Sequence, residues 1–166
     1  MPSCLIFVAM NLSSRLMLFL AMLTTGLSAC GTMDVFEKNI SFKNQQWPGS
    51  EKPSFSFHVS DTASLYNIYL VFRHTNAYGY NNLWLKLWRS GPDTSYTRQV
   101  DLRLATNDRG WLGSGMDDIW EHRIKITETA VQFRKAGDYR FDIEQVMRQD
   151  PLQHVINVGL RVEKAK

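Results

Sequence analysis

The stretch YNIYLVFRHTNAYGYNNLWLKLW, residues 66–88, decides the fold. Its apolar residues recur at every second position. Ile68, Leu70 and Phe72 share one side, with Tyr69, Val71 and Arg73 opposite; Leu83, Leu85 and Leu87 then alternate with Trp84, Lys86 and Trp88. A period of two marks extended strands with one buried and one wet face. Between the two runs lies NAYGYNN, residues 76–82, rich in turn formers. Two strands joined by a connection are the first reading.

The same period extends outward in both directions. Phe55, Phe57 and Val59 align in FSFHV, and Val100, Leu102 and Leu104 alternate with Gln99, Asp101 and Arg103. Tyr139, Phe141 and Ile143 oppose Arg140, Asp142 and Glu144. Near the end, Val158, Leu160 and Val162 oppose Asn157, Arg161 and Glu163. Further strands are predicted near Val35–Phe42 and Ala130–Phe133. SGPDTS (90–95) and KAGD (135–138) supply turn chemistry between strands. This gives about eight strands with no long helix among them, so parallel βαβ units are excluded. The predicted fold is all-β, an antiparallel β-sandwich of jelly-roll type.

Two stretches stand apart. In GDYRF, Tyr139 follows a turn glycine at the start of a strand, as in the tyrosine corner of Greek-key sandwiches. ATNDRGWLGSGMDDIWEHRI, residues 105–124, is a long connection. A single helical turn is predicted there around Met116–Glu121, with Asp117 and Asp118 at its start. Trp111, Met116, Ile119 and Trp120 are expected to fold it over an open end of the sandwich.

The N-terminal part carries an address. Arg15 precedes an apolar run, Leu16 to Leu23, too short to span a bilayer. Leu-Ser-Ala-Cys-Gly, residues 27–31, then looks like a bacterial lipoprotein box. Residues 1–29 are therefore predicted to be a signal peptide, with translation starting at Met10. Cys30 is the lipidation site, residues 30–34 hold the lipidated cysteine and a short tether, and residues 35–166 form the sandwich domain. Removing 29 of 166 residues leaves 137, with 18 basic and 16 acidic side chains. That balance, with no basic run, gives no reason to expect nucleic acid as a partner. The other cysteine, Cys4, falls in the discarded segment, so the domain is expected to hold together without disulfides.

Catalytic chemistry is not apparent. The sequence contains no G-x-S-x-G elbow, Walker loop or H-E-x-x-H helix, and His58, His74, His122 and His154 show no ligand spacing. The expectation is a non-enzyme without metal or cofactor. Aromatic residues are the surplus. With the leucines of residues 83–87 turned inward, Trp84 and Trp88 fall on an outer face, which would make a binding patch. Tyr78 and Tyr80 lie just before them, and Arg148 and Asp150 in MRQDP are the remaining partner-binding candidates.

Four stretches together resemble the GldH family of gliding-motility-associated lipoproteins. They are YNIYLVFRHTNAYGYNNLWL, GWLGSGMDDIWEHRI, GDYRFDIEQVMRQDPL and VGLRVEK. The resemblance implies an outer-membrane, palmitate-bearing lipoprotein of the cell envelope. It further implies an accessory role beside the gliding apparatus and its linked protein-secretion system, with an envelope protein as partner and no catalytic residues to assign. Residues 31–34 reach about 14 Å when extended, which would keep the domain against the membrane, facing the periplasm. The alternative is a lipid-anchored carbohydrate-binding module, using Trp84 and Trp88 as a platform for a glycan.

Overall fold

In a computed structural model, residues 35–165 are described. Cys30, the signal segment and the start of the tether lie outside the described residues. Eight long strands carry the fold: β1 Val35–Ser41, β2 Ser54–Val59, β3 Leu65–Thr75, β4 Asn82–Ser90, β5 Tyr96–Arg103, β6 Ile119–Lys125, β7 Gly137–Gln145 and β8 Val155–Lys164. They form two antiparallel sheets, in the orders β1-β8-β3-β6 and β2-β7-β4-β5. Every connection crosses between the sheets except the β4–β5 hairpin. That is the jelly-roll arrangement expected from the period-two pattern. Short two- or three-residue strands decorate the connections.

The inner faces share one core. Leu83, Leu85 and Leu87 of β4 meet Phe55, Phe141 and Ile143 of the same sheet and Leu70, Phe72, Val158 and Leu160 of the other, all essentially buried. Burying a leucine is worth about 2 kcal/mol. A one-residue slip of β4 would expose three of them and push Trp84, Lys86 and Trp88 inward, so the register is strongly specified. The outer face of the β1-β8-β3-β6 sheet is neutralised by its own ion pairs: Arg73 and Arg123 engage Glu121, Arg161 engages Glu37 at 2.6 Å and Glu163 at 2.6 Å, and Arg123 reaches Glu37 at 3.6 Å. Val71, register partner of Arg123, is fully buried although its side points outward.

Connections alternate between two ends of the sandwich. At the end where β1 begins lie residues 60–64, 91–95 and 126–136; at the far end lie 42–53, 76–81, 104–118 and 146–154. The tyrosine corner closes the first end. The Tyr139 hydroxyl donates to the Lys135 carbonyl at 2.7 Å, and a Cβ at Gly91 would sit 2.2 Å from the Tyr139 ring, which only glycine permits. Beside it, Arg89 and Asp93 form a buried ion pair at 2.9 Å.

The predicted helical turn at 116–121 is not there. Ser114–Met116 and β6 form a hairpin, with Asp117 at φ 53 in its turn. The reason is tertiary. An eleven-residue β3 offers a long edge, and residues 119–125 pair with residues 69–75 along it, outweighing the local capping preference of two aspartates. Aspartate tolerates the left-handed conformation that such a turn needs.

Candidate functional site

Two of the far-end connections, 76–81 and 104–118, and the start of β6 bring aromatic residues from distant parts of the sequence into one arc. Ring centroids run from Trp120 to Trp111 at 6.4 Å, from Trp111 to Tyr78 at 6.3 Å, and from Tyr78 to Tyr80 at 5.8 Å. Tyr80 then shares a hollow of about 440 Å³ with Trp84, Asn82, Gln99, Val146, Met147 and Arg148. The wall of this hollow is pinned by the backbone: Val146 N–H donates to the Trp84 carbonyl at 3.0 Å, and Trp84 N–H points at Met147 Sδ at 3.2 Å. Trp84 is 38% exposed and Arg148 is exposed. Beyond the arc, the hairpin tip presents Met116, 78% exposed, opposite exposed Ile119. Exposed apolar residues joined to aromatics are the composition of a protein-contact surface.

Three of the sequence-predicted residues therefore converge, namely Tyr80, Trp84 and Arg148. The others do not join them. Tyr78 is buried at 3% exposure and donates its hydroxyl to the Asn82 carbonyl at 3.1 Å, so it supports the arc from beneath and offers no ring to a partner. Its position before β4 suggested a surface loop, but the ring turns inward against Phe72 and His74. Trp88 lines a separate hollow of about 660 Å³ with Lys52, Tyr96, Arg140 and Asp142. Lys52 and Lys86 both place Nζ 4.9 Å from the Trp88 ring centroid, and Lys52 also pairs with Glu144 at 3.2 Å. Asp150 accepts the Gly49 N–H at 2.8 Å, tying the 146–154 connection to the 42–53 connection. The expected lid is half realised: Trp111 donates to Asn76 Oδ1 at 3.1 Å and packs 4.4 Å from His74, whereas Met116 and Ile119 point away.

Sequence spacing missed the pair beneath the arc. His74 on β3 and His122 on β6 bring their Nε2 atoms to 2.9 Å, both essentially buried. His74 Nδ1 lies 2.8 Å from the Thr75 carbonyl, which can only accept. His74 therefore carries its proton on Nδ1, and its bare Nε2 accepts from His122 Nε2–H. Burial pushes both pKa values below the ordinary histidine value, His122 to about 4, with the neighbouring His74 adding to the effect there. The pair is neutral and structural at pH 7. Its signal was present in the alternation: His74 is in phase with Leu70 and Phe72, and His122 with Trp120 and Ile124. Among the described residues, no three His, Cys, Asp or Glu side chains converge as a metal cluster.

A model of the GldH lipoprotein family matches residues 34–162. The chain belongs to that family. Among curated relatives, the gliding motility lipoprotein GldH homolog of Christiangramia forsetii is 27% identical over 148 residues, covering 83% of this chain and 88% of that protein. Gliding motility lipoprotein GldH of Flavobacterium johnsoniae is 27% identical over 147 residues, covering 83% and 89%. Of solved structures, the VP2 subviral particle of infectious bursal disease virus matches at 15% identity and a TM-score of 0.35, over 82% of this chain and 36% of that one. So low a TM-score carries no weight for fold or function.

Proposed function

We propose that this chain is an outer-membrane lipoprotein, anchored through Cys30 and facing the periplasm, that acts as a non-catalytic accessory or assembly factor of the gliding-motility machinery and its linked protein-secretion system. The names of its GldH relatives support the process. The observation that carries the mode of action is the far-end arc. It joins Tyr80, Trp84 and Arg148 in one hollow, and the apolar hairpin tip at Met116 and Ile119 belongs to the same end. Aromatic and arginine side chains dominate the energetics of protein–protein contacts, and the ion-paired face of the β1-β8-β3-β6 sheet offers nothing comparable. The partner is an envelope protein.

The carbohydrate-binding alternative needs a flat, two-tryptophan platform. Trp84 and Trp88 line separate hollows, and two lysines approach the Trp88 ring. These features weigh against a glycan. Affinity capture of the full-length protein from crosslinked envelopes, read by mass spectrometry, tests the proposal. Recovery of gliding or secretion components that fails with Trp84→Ala is expected. Equal recovery by that variant, or loss of glycan-array binding in it, would contradict the partner reading.

A further inference from the structure

Exposed large apolar side chains fall at both ends of the sandwich, and the second set lies where the chain enters. Val35 opens β1 and is 45% exposed; Leu65 opens β3 and is 50% exposed; Tyr96 opens β5. Val35 is aligned with Glu163 of β8, and Leu65 accepts the Ala165 N–H at 2.8 Å, so the two lie at the same end of one sheet. Lys125 at the end of β6 and Arg134 and Lys135 in the connection after it, all exposed, stand at this end against two exposed acids, Glu128 and Asp138, the latter 2.8 Å from His58 Nδ1. The neighbouring acids are already engaged: Asp61 binds Lys164 at 2.9 Å, and Asp93 binds Arg89. The rim is thus apolar at its edge and carries a surplus of exposed positive charge.

The geometry points to a lipid bilayer as the occupant of this rim: Val35, Leu65 and Tyr96 enter the interface while Lys125, Arg134 and Lys135 meet headgroup phosphates. This rests on the Cys30 anchor of the preceding reading. Only residues 31–34 separate Cys30 from Val35, a reach of about 14 Å, so the first end of the sandwich faces the membrane to which the thiol is tied. Tyrosine and basic side chains with apolar stems are suited to the membrane–water interface. A consequence is a fixed orientation. The ten residues of β8 span roughly 30 Å at about 3.3 Å each, so the far-end arc stands that distance from the bilayer, presented to proteins and withheld from lipid.

The mature chain lacks thiols apart from Cys30, so single cysteines can be spin-labelled cleanly. The full-length, lipidated protein with Leu65→Cys, and separately Met116→Cys, is placed in phosphatidylethanolamine–phosphatidylglycerol vesicles. Relaxation by an aqueous nickel chelate is then compared with the same protein in detergent. The expected result is a several-fold fall in accessibility at position 65 on vesicle binding and no change at position 116. No fall in accessibility at position 65, in protein that floats with the vesicles and carries lipid mass on Cys30, would overturn the membrane contact and leave the anchor standing. Protein that neither floats nor carries that mass would overturn both.

Discussion

The His74–His122 pair makes acid stability a direct test of the packing beneath the arc. Protonating His122 means charging an imidazole that is 2% exposed and ringed by His74 and Trp111. Its pKa falls from 6.5 in the free side chain to about 4 in the fold. The unfolded state therefore binds more protons between these values, and stability falls as pH drops through that window. At about 1.4 kcal/mol per pH unit, the whole fall costs about 3 kcal/mol, of which about 2 is already lost at pH 5. That point lies above the range in which unfolded carboxylates take up protons. It is a large part of a typical 5–15 kcal/mol margin. Urea unfolding followed by tryptophan fluorescence at pH 7, 6 and 5 measures it. His122→Gln supplies the control, because the glutamine Nε2 donates where the imidazole Nε2–H did but takes up no proton. The variant should keep most of its stability at pH 7 and lose less on acidification, because only the buried His74 still resists protonation there. A parent protein equally stable at pH 7 and 5, or a variant with the parent's pH slope, would refute the buried neutral pair.

Other consequences are local. Gly91→Ala, with its Cβ driven into the Tyr139 ring, should cost about 1–3 kcal/mol by overpacking, seen as a lower urea midpoint. Tyr139→Phe loses one hydrogen bond, to the Lys135 carbonyl, and should cost about 1 kcal/mol in the same measurement. Asp93→Ala strands Arg89 in a buried site, and a loss of about 3–5 kcal/mol is expected. Trp84→Ala, by contrast, removes a partly exposed ring from the rim of a hollow, and its melting temperature should stay close to the parent's.

The architecture was legible because period two is a backbone property: a strand with one face in the core must alternate, and the runs at 66–75, 82–90, 137–145 and 155–164 do so. Where two readings of the same residues compete, sequence alone has no arbiter. Asp117 and Asp118 suit both a helix start and a hairpin turn, and the choice fell to the free edge of β3, which is a tertiary fact. Tyr78 and Tyr80 look alike in sequence, yet one ring is buried against Phe72 and the other lines the hollow. Trp84 and Trp88 share a face, as the alternation required, but whether two rings make one platform depends on what the neighbouring strands place between them. His74 and His122 are 48 residues apart, and their meeting follows from strand pairing that no spacing rule contains.

Docking of an envelope protein on the far-end arc can be read directly in the cell. A photocrosslinking amino acid placed at Trp84, at Arg148 and, as a control, at exposed Lys38 on the edge strand β1 tests it in growing cells. Adducts to one and the same gliding or secretion protein are expected from positions 84 and 148, and none from position 38. Adducts from position 38 alone, or no protein adduct from the arc at all, would contradict it.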